Sequence, residues 1–326
     1  MEVREINEEE LAAFLEQNEH LVFHTWAYKK FITDAFGSYT ILGVVDNGVR
    51  LILPIVEIKS VLGNKVISSA YIEYGGFAGD EKYVDFLLEY LEKYNRSDYL
   101  EIRGGLDFES SLSSLTKSNM YKRFVLSLEG DVWKNIQKSK RKAIKKSLKH
   151  VEVKDVTDID ELYELYCKNM HRFGSPPYGK KYFHAFYGLV NSGHAKVLGS
   201  FYQGKLVSAL LGFTYGDRVH ILISVSDPAF REFRPSDAMH WKFIEWSDGY
   251  KFFDFGRVRE ESGQYEYKRK WGPSLLELPS YFKLWNVSKV PIVDPKKHAT
   301  LVSMWKKLPL FVTKLIGHRV RKELGI

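Results

Sequence analysis

Chemistry-bearing residues crowd into three stretches of the second half of the chain. In Asp254–Gly272 an apolar strand-like run empties into Arg257, Arg259, Glu260, Tyr265, Tyr267 and Lys268. Groups that cost free energy to desolvate, gathered just past a strand end, mark a site more often than a core. Ser226–Asp237 leaves a strand and enters a helix, with Asp227, Arg231 and Arg234 at the junction. Backbone N–H groups at a helix start, beside two guanidinium groups, form a phosphate receptor. Pro235 or Ser236 fits the opening of that helix. In Asn169–Tyr178, Gly174 suits a helix end, Pro176 and Pro177 stiffen the exit, and His171 and Arg172 meet the negative end of the helix dipole. Capping and a rigid turn explain that third stretch equally well.

Other chemistries find little support. Gly256 has no GxGxxG partners, and the ten histidines show no HxxxH pairing beside carboxylates, so no metal site is expected. Cys167, the one cysteine, shares a helix with Tyr163, Tyr166 and Met170 and is expected to pack as a small apolar residue. A lone cysteine also excludes an intramolecular disulfide.

These stretches must be held by alternating helices and strands. Helices are expected at Glu8–Asn18, His24–Phe36 and Lys82–Tyr94. Strands are expected at Tyr39–Val45, Val49–Ile58, Lys65–Ser69, Tyr99–Arg103 and Lys122–Leu128, with a hairpin at Asn47-Gly48. A basic helix follows, then a short strand Val151–Lys154 and helices Ile159–Met170 and Lys181–Asn191. A meander Lys196–Tyr202, Leu206–Tyr215, Arg218–Val225 leads to helix Ser236–Asp248, strand Phe252–Phe255 and a strand-like run Leu275–Val287. Both halves share one order of elements without a residue-level repeat. The expected organisation is two tandem mixed α/β domains: residues 1–130, a basic connecting helix 131–150, a second domain 151–294, and a tail 295–326.

At 326 residues, 44% hydrophobic and 15% aromatic, the chain is neither disordered nor fibrous. The acidic, amphipathic beginning does not read as a signal peptide, and no apolar run reaches membrane-spanning length. The expected location is cytoplasmic. The net charge of +7 is unevenly spread. Residues 131–149 carry +7, with Lys138, Lys140, Arg141 and Lys145 among eight basic side chains, and residues 295–326 carry another +7. Such segments attract phosphates of nucleic acid, nucleotide or anionic lipid. In the tail, Leu301, Met304/Trp305, Leu308, Phe311/Val312 and Leu315 recur at helical spacing beside lysines, with Pro309 expected to split the helix. That pattern fits either a peripheral anchor on an anionic membrane surface or a helix packed on its own domain.

With these stretches in hand, the sequence resembles the FemABX-like branch of the GNAT acyltransferase superfamily, and is similar to the FemAB-related proteins associated with exopolysaccharide genes. The segments NMHRFGSPPY, SVSDPAFREFRPSDAMHWKFIEW, FDFGRVREESGQYEYKRKWG and WKKLPLFVTKLIGHRV carry the resemblance, with KSKRKAIKKS before the second domain. The resemblance implies two tandem GNAT-like domains, the first degenerate, and transfer of an aminoacyl or acyl group from an activated carrier to an amine. It implies an aminoacyl-tRNA or acyl-CoA donor used as co-substrate, with no permanently bound cofactor. The acceptor it implies is an amine of a cell-envelope, peptidoglycan or polysaccharide precursor, lipid-linked in some members. The aromatic-Lys motif of the family falls on Tyr267-Lys268, and its strand-end arginines on Arg257 and Arg259.

The expected mechanism is direct attack of the amine on an ester or thioester carbonyl. The Lys268 ammonium and backbone N–H groups near Ser224–Ser226 would stabilise the oxyanion. Asp227, Glu260 or a water held by Tyr265 would take the proton. Arg172, Tyr178, Arg231, Arg234, Arg257, Arg259 and Tyr267 would contact substrate, while Lys138, Lys140, Arg141 and Lys145 would bind the donor's phosphates or tRNA. Competing expectations are an acyl-CoA-dependent N-acyltransferase of an amino sugar and a non-catalytic scaffold binding membrane or nucleic acid.

Overall fold

Asn7 opens the first helix by a reciprocal cap, its side chain accepting the Glu10 N–H while the Glu10 carboxylate accepts that of Asn7. The computed structural model describes residues 1–60, 63–94, 96–260, 262–291 and 299–325. Its chain runs β1 (Glu2–Glu5), α1 (Glu8–Leu15), α2 (Trp26–Phe36), β2 (Thr40–Val45), β3 (Val49–Ile58), β4 (Lys65–Ser68), β5 (Ala78–Gly79), α3 (Val84–Tyr94), β6 (Tyr99–Arg103) and β7 (Thr116–Ser127). Next come α4 (Val132–Asn135), α5 (Lys138–Ser147), β8 (Glu152–Asp155), α6 (Ile159–Phe173), α7 (Lys180–Asn191), β9 (Ala195–Tyr202), β10 (Lys205–Tyr215) and β11 (Arg218–Ser226). The chain ends with α8 (Pro235–Trp246), β12 (Phe252–Val258), α9 (Gly263–Arg269), β13 (Ser274–Leu284), α10 (Ala299–Lys307) and α11 (Leu310–Leu324).

Two compact units result, and neither is continuous in sequence. One comprises Met1–Met120, Leu278–Val293 and Arg319–Ile326; the other comprises Tyr121–Glu277 and Asp294–His318. The basic segment 131–150 thus lies within the second unit, whereas sequential reading sets it apart. The end of the expected second domain (292–294), the start of the expected tail (295–298) and Glu261 lie outside the described residues.

In the first unit the strands follow the order β1-β2-β3-β4-β6-β13, with β5 on β3. Only β4 and β6 run parallel among these pairs. Helix α3 buries Val84, Leu87, Leu88 and Leu91 against Leu53, Leu100, Ile102 and Tyr281. The chain's last residues return here. The Lys65 ammonium donates to the Leu324 carbonyl at 3.0 Å and the Arg103 guanidinium to that of Gly325 at 3.1 Å.

In the second unit the order is β7-β12-β11-β10-β9-β8, antiparallel except for β11–β12. Phe124, Leu210, Ile221, Met239, Phe243, Phe253 and Trp271 form its core. Asp158 caps α6 through the N–H groups of Asp160 and Glu161, and Gly174, at φ +74°, ends it in the left-handed region. Helix α6 therefore runs to Phe173, past the expected Met170, because His171 and Arg172 continue the helix until the glycine. The tail splits at Pro309 as the sequence implies, and one face of it packs on the domain. Val302 touches Gly174, the Thr313 and Gly317 positions are buried, and Lys314 pairs with Glu164. Helix α9 was not expected: Ser262 accepts the Tyr265 N–H and starts a helix inside the polar segment.

Candidate active site

Strands β11 and β12 pair only over Arg218–His220 and Phe252–Asp254, although both continue further. Beyond Asp254 the register of β12 against β7 shifts, Gly256 takes φ +71°, and β12 turns away from β11. The opening frees one edge of β11, and the chain leaves it into a kinked 3₁₀ segment, Pro228–Phe233, and then α8. Asp227 nucleates that segment by accepting the Ala229 N–H at 3.0 Å. Arg234 then adopts φ +55°, unusual without a glycine, and reverses the chain so that Pro235 can begin α8. Two contacts hold it there: Ser147 donates to its carbonyl at 2.9 Å and its Nε donates to Asp237 at 2.7 Å.

A cavity of about 600 Å³ lies at this junction. Helix α6 supplies Arg172, the end of β11 supplies Ser226, and the 3₁₀ segment supplies Asp227 and Arg231. The first turn of α8 supplies Arg234, Ser236 and Asp237, and α9 supplies Tyr267. Three guanidinium groups therefore meet the positive end of a helix dipole, although Pro235 carries no N–H and that of Asp237 is given to the Arg234 carbonyl at 2.8 Å. This is an anion-binding arrangement. Buried Asn169 orders part of it, its Oδ1 accepting from both Arg172 and the Ser226 N–H at 3.3 Å.

Beneath the cavity floor lies a buried ionic cluster. The Lys140 ammonium, 1% exposed, donates to Asp237 at 2.7 Å and stands 3.6 Å from the centre of the Tyr267 ring. Burial lowers the pKa of Lys140 and the Asp237 charge opposes that shift. Tyr267 donates to the Ser236 carbonyl at 3.2 Å, and burial next to Asp237 pushes its phenol well above the usual range, so it stays protonated. His240 is pushed down to about 4, chiefly by burial; its Nδ1, 2.7 Å from the Ser236 carbonyl, carries the proton in the neutral ring.

Of the expected site residues, Arg172, Asp227, Arg231, Arg234 and Tyr267 come together around this cavity. The others lie elsewhere. Lys268 sits in the crook of the β12 bend, donating to the carbonyls of Gly256 at 3.2 Å and Arg257 at 2.9 Å. It is partly buried and does not line the cavity, because successive residues of α9 point about 100° apart. Arg257 and Arg259 lie over the Tyr121 ring, Glu260 pairs with Lys122 at 2.8 Å, and Tyr265 packs on Phe124. Tyr178 is buried in a stack with Tyr182, so the apolar core claims it. In α5, Lys138 and Lys145 face solvent and Arg141 reaches the Trp133 carbonyl, but Lys140 points inward and offers nothing to an RNA backbone. The Ser226 N–H is engaged by Asn169, which removes it from the expected oxyanion donors. Asp237 is the functional residue that sequence reasoning missed. Its signal was the carboxylate three residues after Arg234, at the spacing for a first-turn ion pair.

Cys167 is buried and its thiol is pushed up to about 11 by desolvation. Among the described residues no three His, Cys, Asp or Glu side chains gather as a metal site, and no helix is long and apolar enough to cross a membrane.

A parallel strand pair thus opens beside the N-terminus of α8, flanked by an antiparallel meander. Residues 131–269 match the acetyltransferase (GNAT) domain family. In overall fold the chain is similar to FemX at 15% identity and a TM-score of 0.67, covering 88% of this chain and 98% of that one. It is also similar to the C-terminal domain of a putative lysylphosphatidylglycerol synthetase from Agrobacterium fabrum (10%, TM-score 0.60, 94% and 95% covered). A tandem GNAT protein of the clavulanic acid biosynthesis pathway shares the fold as well (10%, TM-score 0.50, 77% and 84% covered). No curated protein matches by sequence. The chain therefore has a GNAT-type fold, similar in architecture to FemX and to a tandem GNAT protein, with a C-terminal helical tail.

Proposed function

We propose that this protein moves an activated aminoacyl or acyl group onto an amine of a cell-envelope or polysaccharide precursor, without a covalent enzyme intermediate. The observation that carries the reading is the cavity of a GNAT-type domain where Arg172, Arg231 and Arg234 surround the N-terminus of α8. Arg231, Arg234 and the first turn of α8 bind phosphates of the donor, an aminoacyl-tRNA or acyl-CoA, and Arg172 orients the substrate's other polar groups. The exposed lysines of α5, Lys138 and Lys145 among them, extend that attraction to a tRNA backbone.

In the reaction the amine lone pair attacks the carbonyl carbon. A C–N bond forms, the C–O or C–S bond to the carrier breaks, and the carrier leaves with that electron pair. The Asp227 carboxylate, the one expected base that lines the cavity, takes the ammonium proton. The N–H groups on the open edge of β11 face the developing oxyanion, while the Tyr267 phenol, its hydrogen bond given to the Ser236 carbonyl, forms part of the wall. Lys268 acts through position, tying α9 to the bend of β12 and so holding Tyr267 at the wall. The buried, un-ionised thiol of Cys167 suits direct transfer over a thiol-acyl intermediate.

The test incubates the protein with radiolabelled aminoacyl-tRNA or acyl-CoA and an amine acceptor. Transfer from tRNA with steeply salt-dependent binding supports the aminoacyl reading, and transfer from CoA with no tRNA binding supports the amino-sugar alternative. Arg231→Ala/Arg234→Ala should abolish either. Absence of turnover with both donors would leave the scaffold reading.

A further inference from the structure

The tail's outer face is apolar and uncovered. Leu301 and Met304 of α10 are 64% and 59% exposed, and Phe311 and Leu315 of α11 are 71% and 70% exposed. Large apolar side chains so placed, three and four residues apart, mark an interaction surface when they are contiguous along a helix. The inner face is already committed to the second unit. Val302 lies against Gly174, Gly317 against Pro177, and the His171 ring meets the Leu308 carbonyl at 2.8 Å, at the joint between the two helices. Both helices are therefore preformed, and whatever covers the outer face does not have to fold them.

Charge selects the occupant. Lys307 is exposed on the flank of the apolar face, and from Pro295 onward the chain has eight Lys+Arg against Glu323 alone. Two such tails would repel each other, which disfavours a second copy. A surface that offers hydrocarbon and negative charge at one depth matches both properties. No described helix is long and apolar enough to span a bilayer, so the contact lies in the membrane plane.

We infer that the outer face of α10 and α11 docks on anionic lipid bilayers. Leu301, Met304, Phe311 and Leu315 enter the headgroup boundary, and Lys307 rests on lipid phosphates. Through His171 the docking helices abut the end of α6 that carries Arg172 into the cavity. The docking itself is independent of catalysis.

The test is flotation of the full chain with phosphatidylcholine vesicles and with vesicles containing 30% phosphatidylglycerol. The wild type should float with the anionic vesicles and at least tenfold less with the neutral ones. Lys307→Gln should weaken that partitioning about fivefold. A quadruple serine variant of Leu301, Met304, Phe311 and Leu315, all outside the core, should keep the wild-type circular dichroism and lose binding. Equal flotation of wild type and quadruple variant, equal binding to both vesicle types, or no wild-type binding would overturn the inference. So would a wild-type dimer that the quadruple variant dissolves, which would make a second copy the occupant.

Discussion

Asp237→Asn isolates the cluster under the cavity. The wild-type carboxylate accepts from Lys140 and Arg234, each at 2.7 Å. Neutralising it leaves two cations with different recourse. The Arg234 side chain is 46% exposed and recovers water, so its share is at most about 1 kcal/mol. The Lys140 side chain is 1% exposed and has no such escape. Breaking a buried pair on one side costs about 3–5 kcal/mol, unless the stranded group changes protonation. The expected loss is thus about 3–4 kcal/mol, which shifts a urea midpoint by roughly 2 M if the slope is about 2 kcal/mol/M.

The pH dependence carries the sign. Burial already holds the pKa of Lys140 below 10.5, so in the window between its folded and unfolded values the unfolded chain binds more protons and stability rises with pH. Removing the Asp237 charge lowers the folded value further and widens that window downward. The deficit of the variant should therefore shrink as pH is raised, and adding Lys140→Met should recover most of the loss. An unchanged midpoint, or a deficit that does not respond to pH or to the second substitution, would refute the reasoning.

Other outcomes follow from the same structure. Arg231→Ala/Arg234→Ala should weaken donor binding about 30–700-fold by calorimetry while leaving the circular dichroism unchanged, since each charge-assisted bond contributes about 1–2 kcal/mol. His24 and His240 are buried with pKa values pushed down to about 4, so each takes up a proton on unfolding between pH 6.5 and 4. Stability should fall on acidification across that window by about 1.4 kcal/mol per pH unit per histidine, and His24→Gln/His240→Gln should flatten the urea-midpoint profile. With its thiol near 11, Cys167 should react with iodoacetamide at pH 8 only after unfolding, about one thiol in a thousand being ionised. Gly325→Ala would place a Cβ 2.6 Å from Ile58 at φ +70°, and should cost about 1–3 kcal/mol by thermal unfolding.

The positions of the secondary elements were largely legible, because apolar periodicity and turn residues are local. The three strands between Lys196 and Val225, the hairpin at Asn47-Gly48 and the break at Pro309 all depend on neighbours within a few residues. So did the phosphate receptor: Arg231, Arg234 and Pro235 sit together in sequence and remain together at the head of α8. Side-chain direction was not legible in the polar segments. Lys140 and Lys138 are two residues apart in one lysine-rich run, yet one is buried on Asp237 and the other is in water. Lys268 and Tyr267 are adjacent, yet only Tyr267 reaches the cavity.

The sequence by itself determined the kind of chain this is: a mixed α/β protein with a cationic tail and an arginine-rich strand-to-helix junction, since composition and short-range pattern suffice for each. Which of its charges face a ligand was decided by tertiary structure alone. A lysine's role depends on whether a carboxylate about a hundred residues away meets it in the interior, as Asp237 meets Lys140. The same holds for the tail, whose helical spacing allowed two readings until packing on α6 committed one face and left the other open.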